Sequence, residues 1–181
     1  MELSINSLTE QQTLELLKQW DIPPHLLRHV QLVAQVAKQL CEWCENDNIV
    51  INAQWVTIAA LFHDVGKLLH PEELHQSGSL HEEAGQKWLQ QHGINDSLCR
   101  ICVSHAQWAK MDCTLEELIV ALADKLWKGK RVTELEERVI QAIANQHQDE
   151  YWTLYTRWDQ RFEDVASKGS QRLSMSTSFI K

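Results

Sequence analysis

No apolar run in this chain approaches the roughly 18 residues of a membrane-spanning helix, so no membrane span is expected. Residues 1–17 have neither the basic start nor the apolar centre of a secretory leader. Strand-like alternation is nearly absent, and no repeat, linker or low-complexity block marks a second domain. Positive charge is in deficit. The 17 Lys and Arg against 25 Asp and Glu leave a formal charge of -8, which argues against an extended nucleic-acid surface while leaving room for a local basic pocket. The five cysteines are odd in number and speak against a closed disulfide framework. What is present is ordinary for a soluble globular protein: 181 residues, enough for one domain with a sizeable core, of which 44% are hydrophobic and 23% charged. The expectation is a cytoplasmic, all-α, single-domain helical bundle of about seven helices. It would occupy residues 1–168, with residues 169–181 as a loose, Ser-rich tail.

Two CxxC spacings, Cys41–Cys44 and Cys99–Cys102, raise the question of a zinc knot. Both pairs sit inside apolar helical patterns without the Gly-rich turns that shape zinc knuckles, and 54 residues separate them. Reduced core thiols are the simpler reading, since cysteine is among the most often buried residue types.

Helix signals run through the chain in order. Ser7-x-x-Glu10 has the form of a capping box, and the helix it opens should end before Pro23 and Pro24. A second helix starts near His25, with Leu26, Val30, Val33, Ala37, Leu40 and Cys44 at three- and four-residue steps and His29 on its inner side. A third is expected over 52–69 with Asn52 as N-cap, and a fourth over 80–92, opened by Ser79-x-x-Glu82 and closed by Gly93. A fifth covers about 96–108 and carries His105, and a sixth reads LEELIVALADKLW from residue 115. The last follows over about 133–165, interrupted near 147–150, with Glu134 and Arg138 as an exposed i,i+4 pair.

The stretch that needs most explanation is LFHDVGKL, residues 61–68. His63, Asp64 and Lys67 lie in a strongly apolar context, where isolated charge is costly to bury. Metal coordination is one explanation, because imidazole nitrogen and carboxylate oxygen suit divalent iron, manganese or zinc. A satisfied core histidine beside a helix-capping aspartate is the other. Successive helical side chains diverge by roughly 100°, so the pair could grip one ion only in a groove between helices, which Gly66 would leave open. Asp124, inside LIVALADKL, poses the same problem: it requires a cation, whether a metal, Lys128 at i+4 or a distant arginine.

The ordered set His29, His63-Asp64, His81, His105 and Asp124, each on its own expected helix, resembles the HD-domain superfamily of metal-dependent phosphohydrolases over about residues 25–131. The resemblance implies His29, His63, Asp64 and Asp124 as ligands of one divalent metal. In members with two ions, further histidines lie between HD and the final Asp, and His81 and His105 match them in order. On that pattern Asp64 bridges the ions, and a metal-activated hydroxide attacks phosphorus. Iron, manganese, cobalt, nickel, zinc and magnesium are not distinguished. Asp64 and Lys67 are the expected catalytic residues. Lys67, Lys128 and Arg131 are candidates to hold substrate phosphate, against the alternative of a solvated basic cluster at a helix end. His25, His70, His75, His92 and His147 have no matching positions and read as surface or loop residues.

The implied partner is a small phosphorylated molecule, a dinucleoside polyphosphate or a nucleoside monophosphate. The nucleotide rests on resemblance alone, and a homodimer is left open. Trp108 and Trp127 lie near the candidate ligands, where one could stack on a base. Two other classes stay in view: a mixed-valent diiron oxygenase of the same six-ligand type, and a non-catalytic nucleotide sensor.

Overall fold

The computed structural model describes residues 8–147 and 149–177. Its centre is α3 (Ala53–Phe62), in which every residue from Trp55 to Phe62 is buried. A helix apolar on all sides must be enclosed by others. α2 (Pro24–Asn46) and α7 (Leu115–Leu126) pack on α3 and on each other, and α1 (Glu10–Gln19) covers α3 from outside. The expected stripe of α2, Leu26, Val30, Val33, Ala37, Leu40 and Cys44, is the face it buries. α4 (Leu80–Gln91) packs against α6 (Ile101–Gln107) and a 3₁₀ turn at Val65–Leu68, while α6 also meets α7. α5 (Asp96–Cys99) precedes α6, and α8 (Thr133–Ala144) and α9 (Tyr151–Ala166) close the bundle beyond α7. The architecture is all-α.

Local chemistry sets most boundaries. The Asn52 side chain accepts from Trp55 N at 3.0 Å and caps α3, a contact typically worth about 1 kcal/mol. Thr114 and Glu117 form a reciprocal capping box on α7. Gly93, at φ 74°, follows α4, and the Ile94 N–H returns to Leu89 O at 3.0 Å, which satisfies a carbonyl of the last turn.

Several expectations change. The box at the start of α1 is made by Thr9 with Gln12, and Ser7 lies outside the described residues. α3 stops at Phe62 instead of running to 69, and the GK pair sits in the 3₁₀ turn that follows. Ser79 makes no side-chain cap on α4. The expected fifth helix is divided at Arg100, whereas the interruption expected near 147–150 is found, between α8 ending at Ala144 and α9 beginning at Tyr151. Arg138 turns inward from its expected pairing with Glu134. Its guanidinium donates to the carbonyls of Trp108 and Met111. Residues of the expected loose tail form a tenth helix, α10 (Gly169–Thr177), anchored by Arg172 donating to Trp127 O at 3.1 Å and Val165 O at 2.9 Å. Among the described residues, no helix is long and apolar enough to cross a membrane.

Candidate metal centre

The end of α3 fixes the first two candidate ligands. His63 Nδ1 lies 2.7 Å from Ala60 O, a carbonyl left without an intrahelical partner where the helix stops, so the ring donates there and directs Nε2 outward. Asp64 follows outside helical geometry, at φ -109° and ψ 10°, which swings its carboxylate into the same space. α2 contributes His29 and α7 contributes Asp124. His29 Nε2 is 3.1 Å from Asp64 Oδ2, 3.3 Å from His63 Nε2 and 3.5 Å from Asp124 Oδ1. His63 Nε2 is 3.5 Å from Asp64 Oδ2 and 3.8 Å from Asp124 Oδ1.

The other oxygen of Asp64 faces a different pair. His81 Nε2 lies 3.3 Å and His105 Nε2 3.6 Å from Asp64 Oδ1. His81 stands in the first turn of α4, and His105 on α6. Both rings are fixed from behind, His105 Nδ1 by Ile101 O at 3.0 Å and His81 Nδ1 by Glu73 Oε2 at 2.5 Å. Asp64 therefore belongs to two clusters, one with His29 and His63 and one with His81 and His105.

These spacings fit metal ions. Donors about 2.1 Å from one ion lie roughly 3.0–3.5 Å apart in tetrahedral or octahedral coordination, close to the separations above. The orientation fits as well: each of His63, His81 and His105 commits Nδ1 to an oxygen and presents Nε2, the kind of support from behind that fixes the ring and tautomer of a metal-binding histidine.

The charges are arranged to match. Burial pushes the Asp64 carboxyl up, but the His63 charge and contacts from His29 and His81 outweigh it and hold Asp64 well below the usual carboxylate range. Asp124 is likewise held low against its burial, by His63 and the adjacent Lys125. His105 is pushed down to about 3, first by burial and then by the neighbouring His63, which keeps its imidazole neutral and able to ligate. His81 moves the other way. Burial lowers it, but Asp64 and Glu73 together raise it.

Two lysines touch the carboxylates. Lys67 Nζ donates to Asp64 Oδ2 at 2.6 Å, and Lys125 Nζ to Asp124 Oδ2 at 2.8 Å. Lys128 is half-buried, its pKa lowered first by burial, within the field of Asp124, Lys125, Asp64 and Lys67. Arg131, expected to hold substrate, is engaged elsewhere: it forms ion pairs with Glu136, Asp159 and Glu163 and joins the start of α8 to α9. Gly66 does not leave an open groove. The backbone of α4 fills that space, and a Cβ on Gly66 would lie 2.6 Å from Gly85 N. His25, His70, His75, His92 and His147 join neither cluster.

Sequence reasoning misses Glu73, buried in the 3₁₀ turn Pro71–Leu74. Its carboxylate accepts from Leu80 N at 3.0 Å and His81 N at 3.1 Å in addition to the His81 ring, performing the capping expected of Ser79. Nothing in periodicity marks it, because a short turn in a polar loop has no apolar face to read. Trp127 is read in the sequence as lying near the candidate ligands, where it could stack on a base. Its ring packs edge-on to His29 at 5.1 Å between centroids.

An all-α bundle with buried, paired His/Asp clusters defines a helical protein with a candidate metal centre. Residues 26–129 match the family model of the HD domain, more than half of the chain, and the protein belongs to that family. Among curated proteins, a tRNA (cytidine(56)-2'-O)-methyltransferase of Thermoplasma volcanium (strain ATCC 51530 / DSM 4299 / JCM 9571 / NBRC 15438 / GSS1) is 29% identical in an alignment 145 residues long that covers 72% of this chain and 40% of that protein. The chain thus spans well under half the length of that relative. No solved structure matches. Within that domain, the His and Asp clusters could hold divalent metal.

Proposed function

We propose that this protein hydrolyses a phosphate ester or anhydride of a nucleotide at a two-ion centre. One ion would be held by His29, His63, Asp64 and Asp124, the other by Asp64, His81 and His105. The observation that carries the reading is the division of Asp64: Oδ2 faces His29 and His63, and Oδ1 faces His81 and His105. A carboxylate so placed is suited to bridging. Bound divalent ions supply Lewis acidity toward phosphoryl oxygens and lower the pKa of water.

The chain's own residues do the rest. Lys67 and Lys125 are placed beside the two ligand carboxylates, where ammonium groups can offset charge on non-bridging phosphate oxygens. Lys128 extends the positive field along the end of α7. This concentration of cations favours phosphate chemistry over the diiron oxygenase reading, and the complete set of candidate ligands favours turnover over passive sensing. The methyl transfer named for the Thermoplasma relative is not adopted for this chain, which matches only 40% of that protein.

The test pairs metal content of anaerobically purified protein with phosphate release from dinucleoside polyphosphates and nucleoside monophosphates. About two ions per chain and turnover abolished in Asp64→Ala is the expected result. One ion with monophosphate turnover would replace the two-ion reading with a mononuclear one. Two irons with oxygen consumption and no phosphate released would transfer the protein to the oxygenase class, and nucleotide binding without turnover in the metal-loaded protein would make it a sensor.

A further inference from the structure

We infer that Glu73 is a positioning residue for the second ion, acting through His81 from a loop that contributes no ligand of its own. The inference rests on the two-ion reading above. Glu73 is 6% exposed, and its carboxylate meets three donors. Oε1 accepts from Leu80 N at 3.0 Å, while Oε2 accepts from His81 N at 3.1 Å and faces His81 Nδ1 at 2.5 Å. One carboxylate thereby fixes both the backbone that carries His81 and the rotation and tautomer of its ring. With Nδ1 held by Glu73, Nε2 is the ring nitrogen turned toward Asp64 Oδ1, 3.3 Å away.

The His81 ring support differs in kind from those of His63 and His105, which donate to carbonyls of their own helices. Those rings keep their partners wherever the helix goes. His81 depends on a residue eight positions earlier, in a separate turn. Gly78 closes the arrangement. A Cβ there would fall 2.7 Å from Glu73 Cγ and closer still to the carboxylate. A free glutamate could rotate away from such a methyl group. This one is locked by three donors, so yielding would release His81.

The experiment titrates metal-free protein with Co²⁺ and follows stoichiometry by calorimetry and the visible cobalt spectrum. The native chain and His81→Ala define what two sites and one site look like. Glu73→Ala is expected to weaken the second ion about 10- to 100-fold, the usual range when the partner that orients a ligating histidine is lost, while the first ion binds as before. Glu73→Gln should recover most of the loss, because its amide oxygen can still accept from the His81 ring. Gly78→Ala should reproduce the Glu73→Ala effect without touching the glutamate, and serves alone if Glu73→Ala does not fold.

A second ion held as tightly in Glu73→Ala or Gly78→Ala as in the native chain would overturn the inference. Equal weakening of both ions would also overturn it, as the sign of general destabilisation. If His81→Ala binds as many ions as the native chain, the two-ion reading itself fails, which is a distinguishable outcome.

Discussion

Gly66 packs directly against the first turns of α4, near enough to His81 O and Gly85 N that no side chain fits between them. A Cβ on Gly66 would lie 2.6 Å from Gly85 N, and one on Gly85 would lie 2.9 Å from Gly66 N. The atoms that would have to yield are backbone. Gly66→Ala must therefore displace α4 from the turn that follows HD, and His81 moves with it. The expected outcome is a loss of roughly 2–3 kcal/mol from overpacking, together with weakened binding of the second ion. Thermal unfolding and metal content measured on the same preparation check both. A variant with native stability and two ions would show that the close approach is dispensable.

His63, Asp64 and Asp124 are legible as candidate ligands because each is a charged or polar residue in an apolar helical frame, where burial is costly and the anomaly is visible. His29, His81 and His105 join them only through the ordered resemblance to the HD-domain family, and periodicity places their helices in a common bundle. Gly66 invites a misreading. A glycine after HD is as compatible with an open groove as with a neighbouring backbone, and only the position of α4 decides. Glu73 and the Arg131 network are illegible for a related reason. Their partners lie in other elements, and a charged residue in a polar segment carries no mark of what it touches.

Arg131 and Lys128 separate by experiment. The Arg131 guanidinium holds buried Glu136 and the more exposed Asp159 and Glu163, linking α8 to α9. The principal cost of Arg131→Ala is the unpaired Glu136 carboxylate, since solvent screens the outer pairs with Asp159 and Glu163. A destabilisation of about 1–2 kcal/mol is expected, with KM unchanged for the folded fraction. Lys128→Ala should do the reverse, leaving the unfolding temperature within error and raising KM several-fold. Steady-state kinetics beside thermal melts read both. A raised KM in Arg131→Ala at native stability would restore the arginine to the substrate site.

The cysteines make a prediction about what does not bind. Cys41, Cys44, Cys99 and Cys102 are buried, and Cys113 is partly exposed. Burial, reinforced by nearby acidic groups, pushes Cys44 and Cys99 up to about 12, and Cys102 is likewise raised well above the ordinary value. At about pH 8 the buried thiols carry almost no thiolate, the species that both reacts and ligates. A colorimetric thiol reagent should label Cys113 first in the native protein and all five cysteines only after denaturation. Metal content should be unchanged in Cys41→Ser with Cys44→Ser. A zinc ion lost from that double variant would reopen the CxxC pairs as a site.

Lys67 supplies the most direct test of phosphate chemistry within the site. Its ammonium lies 2.6 Å from Asp64 Oδ2, on the oxygen that also faces His29 and His63. An ion bound between those histidines would compete for the negative charge that Lys67 now neutralises, leaving the lysine available to an anionic substrate. Removing it should not impair metal binding, because Asp64 loses only a competing cation. Lys67→Ala is therefore expected to retain about two ions while phosphate release falls roughly 10- to 100-fold, the scale of one charge-assisted hydrogen bond. Lys67→Arg should recover only part of the rate, since a planar guanidinium cannot occupy the place of a compact ammonium against Asp64. Full activity in Lys67→Ala would mean that the lysine serves only to balance Asp64 in the folded core. Loss of metal together with activity would make it part of the frame that shapes the ligands.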